Sequence, residues 1–381
     1  MTPPTILIAG GGTGGHVFPA VAVAEALRLL ADVRVVFCAT GRGIEATVVP
    51  ARGWPLERLD VEPMKGRGAL PAARAAALAA KATVVALGIL RRVQPRAVLS
   101  VGGYAAGPTA LAAVLRGVPV ALLEPNCVVG MTHRLVAPFA KRAYVAWPET
   151  AMRFGAAARR VYGVPLRPGF APRPYAPLGA PRLLVMGGSQ GSAALNERLP
   201  KAVARLRGAL PGLSVVHQAG GGRDGAVRAA YATEGVTDVV VAPFLDDVAA
   251  AIAAADLVVA RAGAATIAEI SAIGRAALLV PFPHAADDHQ GRNAEAFAAA
   301  GAGVCVREGE ATVDRIGREM EHILADHSAR VAMADAARAR GSPGAARDVA
   351  MDLLGLAGVD ARGPVAVGDV VANSPIEAEA R

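Results

Sequence analysis

Aromatic residues are scarce: two Trp, five Tyr and eight Phe make up 4% of the 381 residues. Proteins that read single-stranded nucleic acid stack bases on such rings, and no helix-turn-helix, RNA-recognition or zinc signature offsets the shortage, so nucleic acid is excluded as a partner. Cysteine is almost as rare. Cys38, Cys127 and Cys305 are odd in number, far apart and without metal-ligand spacing, which reads as buried thiols in a reducing compartment. Residues 97–115 form an uncharged run long enough on paper to cross a bilayer. Gly102, Gly103, Gly107 and Pro108 break it into strand, loop and helix, so no spanning helix is predicted. Met1-Thr2-Pro3-Pro4 has no basic leader and the apolar run behind it is too short for a signal core, so export is not expected.

What is present is a chain with 53% hydrophobic residues, long enough for two domains, whose core is made of Ala, Val and Leu. The net charge is +8 and unevenly spread: residues 1–168 carry 20 Lys+Arg against 8 Asp+Glu, and the remainder 20 against 24. A first half this basic suits an anionic lipid surface or a phosphorylated substrate.

Apolar strands alternate with amphipathic helices, the pattern of a parallel α/β sheet. Residues 5–9 lead into Gly10-Gly11-Gly12-Thr13-Gly14-Gly15-His16 and a helical pattern through Val17, Val21, Ala24 and Leu27. Gly10, Gly12 and Gly15 satisfy the dinucleotide spacing G-x-G-x-x-G, which raises a nicotinamide enzyme. The next strand, 33–38, should then end in an acid for the adenosine ribose, but it ends in Ala39-Thr40-Gly41-Arg42, and no P-loop lysine follows the glycines. A helix over 44–51, a flexible loop at 64–68 and a helix through Leu78, Val84, Val85, Leu87, Ile89 and Leu90 come next. Arg74, Lys81, Arg91 and Arg92 at the borders of that helix suit either a solvated face above a core or a helix lying on an anionic membrane. Strand 97–101 precedes a second glycine loop, strand 118–123 ends in Glu124-Pro125-Asn126, and 144–146 is the last strand expected before a proline-rich linker from Val164 to Pro181.

The plan then repeats. Leu183-Leu184-Val185-Met186 and Gly187-Gly188-Ser189-Gln190-Gly191 echo residues 6–12, and helix 193–208, strand 214–218, Gly220-Gly221-Gly222 and strand 239–244 follow. The expected fold class is α/β: two Rossmann-like domains whose parallel sheets face a central cleft that takes the ligand. Beyond Val304 the pattern is helical to Arg340, Gly341-Ser342-Pro343-Gly344 breaks it, a last helix spans 345–356, and 358–381 reads as a disordered tail.

Polar groups concentrate between Val258 and Ala294. The apolar run 257–260 is broken by Gly263, and Glu269 falls within the first turns of the next helix, so backbone N–H groups and a carboxylate share one helix N-terminus. That arrangement holds a nucleotide, with diphosphate at the positive end and ribose hydroxyls on the carboxylate. Thr266-Ile267-Ala268-Glu269 also has the form of an ordinary capping box. The run 276–280 ends in Pro281 and Pro283 and delivers His284, Asp287, Asp288, His289 and Gln290 to one loop, where sites sit in parallel sheets.

Six motifs now carry a resemblance. Gly11-Gly12-Thr13-Gly14-Gly15-His16-Val17-Phe18-Pro19, Gly102-Gly103-Tyr104 with Gly107-Pro108, Glu124 with Asn126, Gly187-Gly188-Ser189-Gln190-Gly191 with Asn196, Arg261-Ala262-Gly263-Ala264 through Glu269, and His289-Gln290 with Asn293 occur in the order of the MurG family of peptidoglycan glycosyltransferases, which the chain resembles over nearly all of 5–356. The resemblance implies the GT-B fold, with 1–165 and 342–357 as the acceptor and membrane-facing domain and 166–341 as the donor domain. It implies inverting transfer of N-acetylglucosamine from UDP-N-acetylglucosamine to the muramoyl 4-hydroxyl of lipid I, giving lipid II. Donor contacts are implied for Thr13, Gly14, Gly15, Asn126, Arg167, Ser189, Gln190, Phe244, Ala264, Thr266, Glu269, His289 and Gln290. Of these, Glu269 would meet the ribose, the backbone near Phe244 the uracil, Arg167, Ser189 and Gln190 the diphosphate, and His289 and Gln290 the sugar. Acceptor contacts are implied for Gly14, Gly15, His16, Gly103, Tyr104 and Asn126. The implied partners are UDP-N-acetylglucosamine, lipid I, an anionic membrane surface and other cell-wall synthesis proteins, at the cytoplasmic face of the plasma membrane as a peripheral protein.

No Asp-x-Asp occurs in the chain, so no metal cofactor is expected and the leaving UDP falls to helix N-termini and an arginine. The attacking hydroxyl needs a base. His16, at the end of a glycine loop, is the first candidate, with a helix-start histidine that only orients phosphate as the alternative. Glu124 is the second: the family's usual His-Glu-Gln-Asn reads Leu123-Glu124-Pro125-Asn126 here, which moves weight onto Glu124 and Asn126. The competing classes are another GT-B transferase acting on a lipid or natural product, an NAD(P) oxidoreductase, and a sugar-nucleotide-binding scaffold without turnover.

Overall fold

The computed structural model describes residues 2–61, 69–155, 157–175, 179–188 and 190–362, without the side chains of 69–76. The loop expected at 64–68, the Ser189 contact, the Arg74 side chain and the tail beyond 362 lie outside the described residues. Two compact units emerge: Met1–Glu124, Val129–Pro168 and Gly344–Arg381 form one, Pro125–Val128 and Gly169–Pro343 the other.

The first unit runs β1 (Thr5–Ala9), α1 (Gly14–Leu30), β2 (Arg34–Ala39), α2 (Glu45–Val48), β3 (Leu56–Arg58), α3 (Ala69–Val93), β4 (Ala97–Ser100), α4 (Ala106–Leu115), β5 (Val120–Glu124), α5 (Met131–Val136), β6 (Arg142–Val145), α6 (Pro148–Ala151) and β7 (Ala158–Val161). Its seven strands are all parallel in the order β3-β2-β1-β4-β5-β6-β7. Strands buried on both faces are apolar throughout, and β1 divides its side chains accordingly. Leu7 joins Val98, Leu122, Ala86 and Leu90 under α3 and α4. Ile6 and Ile8 face the other way, onto Val17, Val21, Ala24 and Leu27 of α1. The strands after 144–146 were not anticipated to continue, yet β7 follows, and β3 was likewise missed. Both are edge strands with charged residues, Leu-Glu-Arg and Ala-Arg-Arg-Val, so they lack the apolar run that marks a central strand.

Helix α3 is two-sided. Ala82, Ala86, Ile89, Leu90 and Val93 are buried in the core, while Leu78, Val84 and Val85 stand exposed on the other side. Leu111 and Leu115 of α4 and Met131 and Leu135 of α5 are also exposed, on helices that pack successively against it. Among the described residues no helix is long and apolar enough to cross a membrane.

The second unit runs β8 (Arg182–Met186), α7 (Ala193–Ala209), β9 (Ser214–Gln218), α8 (Asp224–Thr233), β10 (Val240–Ala242), α9 (Val248–Ala254), β11 (Leu257–Ala260), α10 (Ala264–Ile273), β12 (Ala277–Leu279), α11 (His289–Ala299), β13 (Gly303–Cys305), α12 (Val313–Ala325) and α13 (His327–Ala339). Six parallel strands take the order β10-β9-β8-β11-β12-β13. The last helix, α14 (Ala345–Leu356), belongs to the first unit, where Val349, Ala350, Leu353 and Leu354 pack with α1. In each sheet the strand order reverses direction once, between β1 and β4 and between β8 and β11. Ligands of open parallel sheets bind beyond the carboxyl ends of the strands at that point.

Candidate functional site

At the reversal in the first sheet, the loops after β1 and β4 are built into each other. The Gly11 amide donates to the Gly102 carbonyl at 3.2 Å. Gly103 adopts φ +87°, and a Cβ placed there would lie 2.3 Å from the Gly11 carbonyl oxygen, so only glycine permits this approach. His16 sits in the first turn of α1, whose N-cap is Thr13, and its Nδ1 lies 3.3 Å from the Thr13 hydroxyl. Its Nε2 points across the Cα of Gly102, 3.0 Å from where a Cβ would stand. Tyr104 is exposed beside this loop.

Glu124, at the end of β5, is 3% exposed. Its Oε2 accepts the Gly130 amide at 2.9 Å and is 3.0 Å from Nδ1 of His133, an imidazole that is itself 2% exposed. His133 also reaches Gly102, its Cε1 3.7 Å from the Cβ position there. His16 and His133 therefore meet at one glycine, and Glu124 lies one hydrogen bond further on, through a histidine that the sequence does not single out. The signal was a single histidine just past a strand-end glutamate, which is too common to single out.

A second residue was also missed. Glu45, buried below the first glycine loop, accepts the Gly12 amide at 2.8 Å on Oε2 and the Thr40 hydroxyl at 2.7 Å and the Gly43 amide at 3.2 Å on Oε1. Burial works to raise its carboxyl, but these donors outweigh it and hold it below its usual value. The amide that a dinucleotide pyrophosphate would use is thus taken by a carboxylate, which argues against the nicotinamide reading.

At the reversal in the second sheet, the N-cap of α10 is Gly263, which has no side chain to cap with, and no side-chain cap hydrogen bond is made. Thr266 is therefore three residues inside the helix, and the capping-box reading of Thr266 and Glu269 is corrected: the register leaves the leading amides to a ligand or to water. Ala264 is buried, and Thr266 and Glu269 are half-buried at this helix start. The loop after β8 is held by Gln218, which accepts from the Gly188 amide at 3.1 Å and donates to the Gly188 carbonyl at 2.8 Å. Asn196 donates to the Ala219 carbonyl at 2.9 Å and meets His217 at 3.1 Å. Gln190 is exposed on this loop, and Phe244, 55% exposed, stands over Gly221 beyond β10.

Of the five polar residues after β12, Asp288, His289 and Gln290 make contacts that shape the loop. Asp287 and Asp288 both take left-handed φ, and Arg307 grips the Asp288 carboxylate at 2.7 and 2.9 Å and Glu295 at 2.5 Å. That clamp sets the start of α11, where His289 Nδ1 is 2.7 Å from the Ala286 carbonyl and Gln290 Oε1 accepts the Phe282 amide at 3.0 Å. Asn293 is fully buried, accepts the Cys127 amide at 2.9 Å and donates to Asn126 Oδ1 at 3.1 Å and to the Ala262 carbonyl at 3.3 Å. Asn126 thus belongs with the second unit. Arg167 belongs with the first, its guanidinium 5.7 Å from the centre of the Phe18 ring and within electrostatic reach of Glu25.

The comparisons agree with this anatomy. Residues 6–145 match the glycosyltransferase family 28 N-terminal domain and residues 182–349 the glycosyltransferase family 28 C-terminal domain. The UDP-N-acetylglucosamine--N-acetylmuramyl-(pentapeptide) pyrophosphoryl-undecaprenol N-acetylglucosamine transferase of Sorangium cellulosum (strain So ce56) is 51% identical over 358 residues, 93% of this chain and 88% of the relative. The protein of the same name from Alkalilimnicola ehrlichii is 45% identical over 92% of this chain and 98% of its own length. A crystal structure of MurG from Acinetobacter baumannii superposes with a TM-score of 0.78 at 33% identity, covering 93% of this chain and all of that one. With both domain types matched in order and identities this high along nearly its whole length, the chain belongs to glycosyltransferase family 28, in its MurG group.

Proposed function

We propose that this chain is an inverting transferase that moves N-acetylglucosamine from UDP-N-acetylglucosamine to the 4-hydroxyl of a muramoyl-pentapeptide carried on pyrophosphoryl-undecaprenol, the reaction its relatives are named for. The observation that carries the reading is a division of labour between the two strand-order reversals. The second unit offers a helix start without a side-chain cap, with Glu269 two turns in, which suits a nucleoside diphosphate. The first offers glycine loops and an imidazole, which suits a hydroxyl that must lose a proton. Ala264, Thr266 and Glu269 take the diphosphate and ribose, Phe244 lies by the base, Gln190 by the phosphates, and His289 and Gln290 by the sugar. Gly14, Gly15, Gly103 and Tyr104 serve the acceptor, and Asn126, which lies with the second unit, serves the donor.

The chemistry follows from these placements. His16 Nε2 takes the proton of the 4-hydroxyl as its oxygen attacks the anomeric carbon, and the bond to UDP breaks with its electrons leaving on the diphosphate. The amides at the start of α10 meet that developing charge without reorganising. His16 is favoured over Glu124 as base because it is half-buried at a loop end, whereas Glu124 is almost wholly enclosed and its Oε2 is committed to Gly130 and His133. The chemistry uses no metal ion, so transfer should persist in chelator.

The membrane is the acceptor's location, and the exposed apolar residues of α3, α4 and α5 support docking there at the cytoplasmic face, with Lys81 and Arg91 for anionic headgroups. The decisive experiment incubates the protein with radiolabelled UDP-N-acetylglucosamine and a lipid I analogue, with and without EDTA. Label in the lipid product under both conditions is expected; failure to transfer any label to the lipid ends the reading.

A further inference from the structure

Glu124 and His133 form a buried pair of ionisable groups in the first unit that the transfer scheme above leaves without a role. Leu123 and Pro125 flank Glu124 and provide no side-chain hydrogen-bond donor, so the donors to Oε2 come from further along the chain, from the Gly130 amide and the His133 imidazole. A carboxylate on Nδ1 makes that nitrogen the donor in the contact. The Nε2 of the same ring is buried and, among the described residues, has no hydrogen-bond partner. An orphaned polar atom in a closed interior carries a cost that an apolar side chain of similar shape would avoid, so the bond at the other end of the ring must be what the position requires. The ring lies against Gly102, on the glycine that His16 also faces.

We propose that His133 is a positioning residue: held by its hydrogen bond to the Glu124 carboxylate, its ring backs Gly102, the glycine on which His16 Nε2 lies, and so sets the turnover rate without touching substrate. The inference rests on the transfer reaction proposed above. It differs from a packing role because it depends on one donated hydrogen bond and not on the bulk of the ring.

The test compares His133→Leu, His133→Asn, Glu124→Gln and the double variant Glu124→Gln/His133→Leu in the full chain. His133→Leu, which fills the space without a donor, should lower kcat about tenfold to a hundredfold, the range for a hydrogen bond to a charged group, at little change in KM for UDP-N-acetylglucosamine. His133→Asn, whose amide can donate from a place near Nδ1, should recover most of the loss. The double variant should be hardly slower than Glu124→Gln alone, since the two act through one contact. An unchanged kcat in His133→Leu, an asparagine variant as slow as the leucine one, or additive losses in the double variant would each overturn the proposal. Should the leucine variant fail to fold, nitrogen-15 NMR of the parent carries the test. An Nδ1–H proton resonance of His133 should shift upfield in Glu124→Gln, and an unmoved resonance overturns the pairing. A parent protein that transfers no sugar would instead sink the reaction itself, an outcome the NMR measurement reads separately.

Discussion

At the residue scale the most informative atoms are those whose neighbours are far away in sequence. Glu269 was visible as an acid near a helix start, but whether it capped the helix or faced a ligand depended on where the helix began. With Gly263 as N-cap, Thr266→Ala should change stability by less than about 0.5 kcal/mol, against about 1 kcal/mol for a true capping threonine. Glu269→Ala should weaken UDP binding about tenfold to a hundredfold at unchanged melting temperature. Calorimetric titration with UDP reads the second effect, and normal affinity in that variant would remove Glu269 from the donor site. His217 makes a different kind of statement. Buried between Tyr231 and Asn196, it is held neutral, with its pKa lowered to about 4 by burial. Its unfolded counterpart titrates near ~6.5, so between these values the unfolded chain binds the extra proton and stability rises with pH. Lowering the pH from about 6.5 to about 4 should therefore cost the second unit on the order of 3 kcal/mol from this group. Urea unfolding at stepped pH should show a flatter dependence in His217→Gln than in the parent; parallel curves would contradict it.

At the scale of elements, alternation of apolar runs with glycine loops was enough to place most strands and helices of both sheets, because central parallel strands are apolar on both faces. It failed at the edges, where β3 and β7 are short and charged, and at β13, three residues lost in a longer helical pattern. The glycine loops were legible as loops, but their interlocking was not. Gly53 and Gly103 share a left-handed backbone, yet a Cβ at Gly53 meets nothing within 4 Å while one at Gly103 meets the Gly11 carbonyl. Gly53→Ala should cost about 1 kcal/mol from backbone strain alone. Gly103→Ala adds a collision that displaces the first glycine loop and should cost more than about 2 kcal/mol and depress transfer. Thermal unfolding of the two variants side by side decides it, and equal losses would mean that the loops do not depend on each other.

At the scale of the whole molecule, the charge asymmetry has a consequence for where the protein works. The basic first 168 residues and the exposed apolar side chains of α3, α4 and α5 belong to one unit, and the acidic remainder lies mostly in the other. Arg92 is partly neutralised, since its guanidinium pairs with Glu57 at 2.6 Å, which leaves Lys81 and Arg91 as the better cations of α3 for anionic lipid. Binding to vesicles containing anionic lipid should weaken as salt rises, and Lys81→Gln/Arg91→Gln should lose about 1 kcal/mol per charge. Sedimentation with vesicles measures this, and binding indifferent to both salt and charge would refute the electrostatic part.

Periodicity, glycine placement and ordered motifs were local properties, and by themselves they determined the α/β class, the doubling of the plan, and the family resemblance that names the reaction. Neighbours distant along the chain were a matter for the tertiary structure. It alone brought Glu45 under Gly12, Asn293 to Asn126 and Cys127, Arg307 to Asp288, and His133 to Glu124. The physical reason is that strand and helix formation follow from residues within a few positions of each other, whereas the orientation of a buried carboxylate is set by whichever donors the folded sheet carries to it.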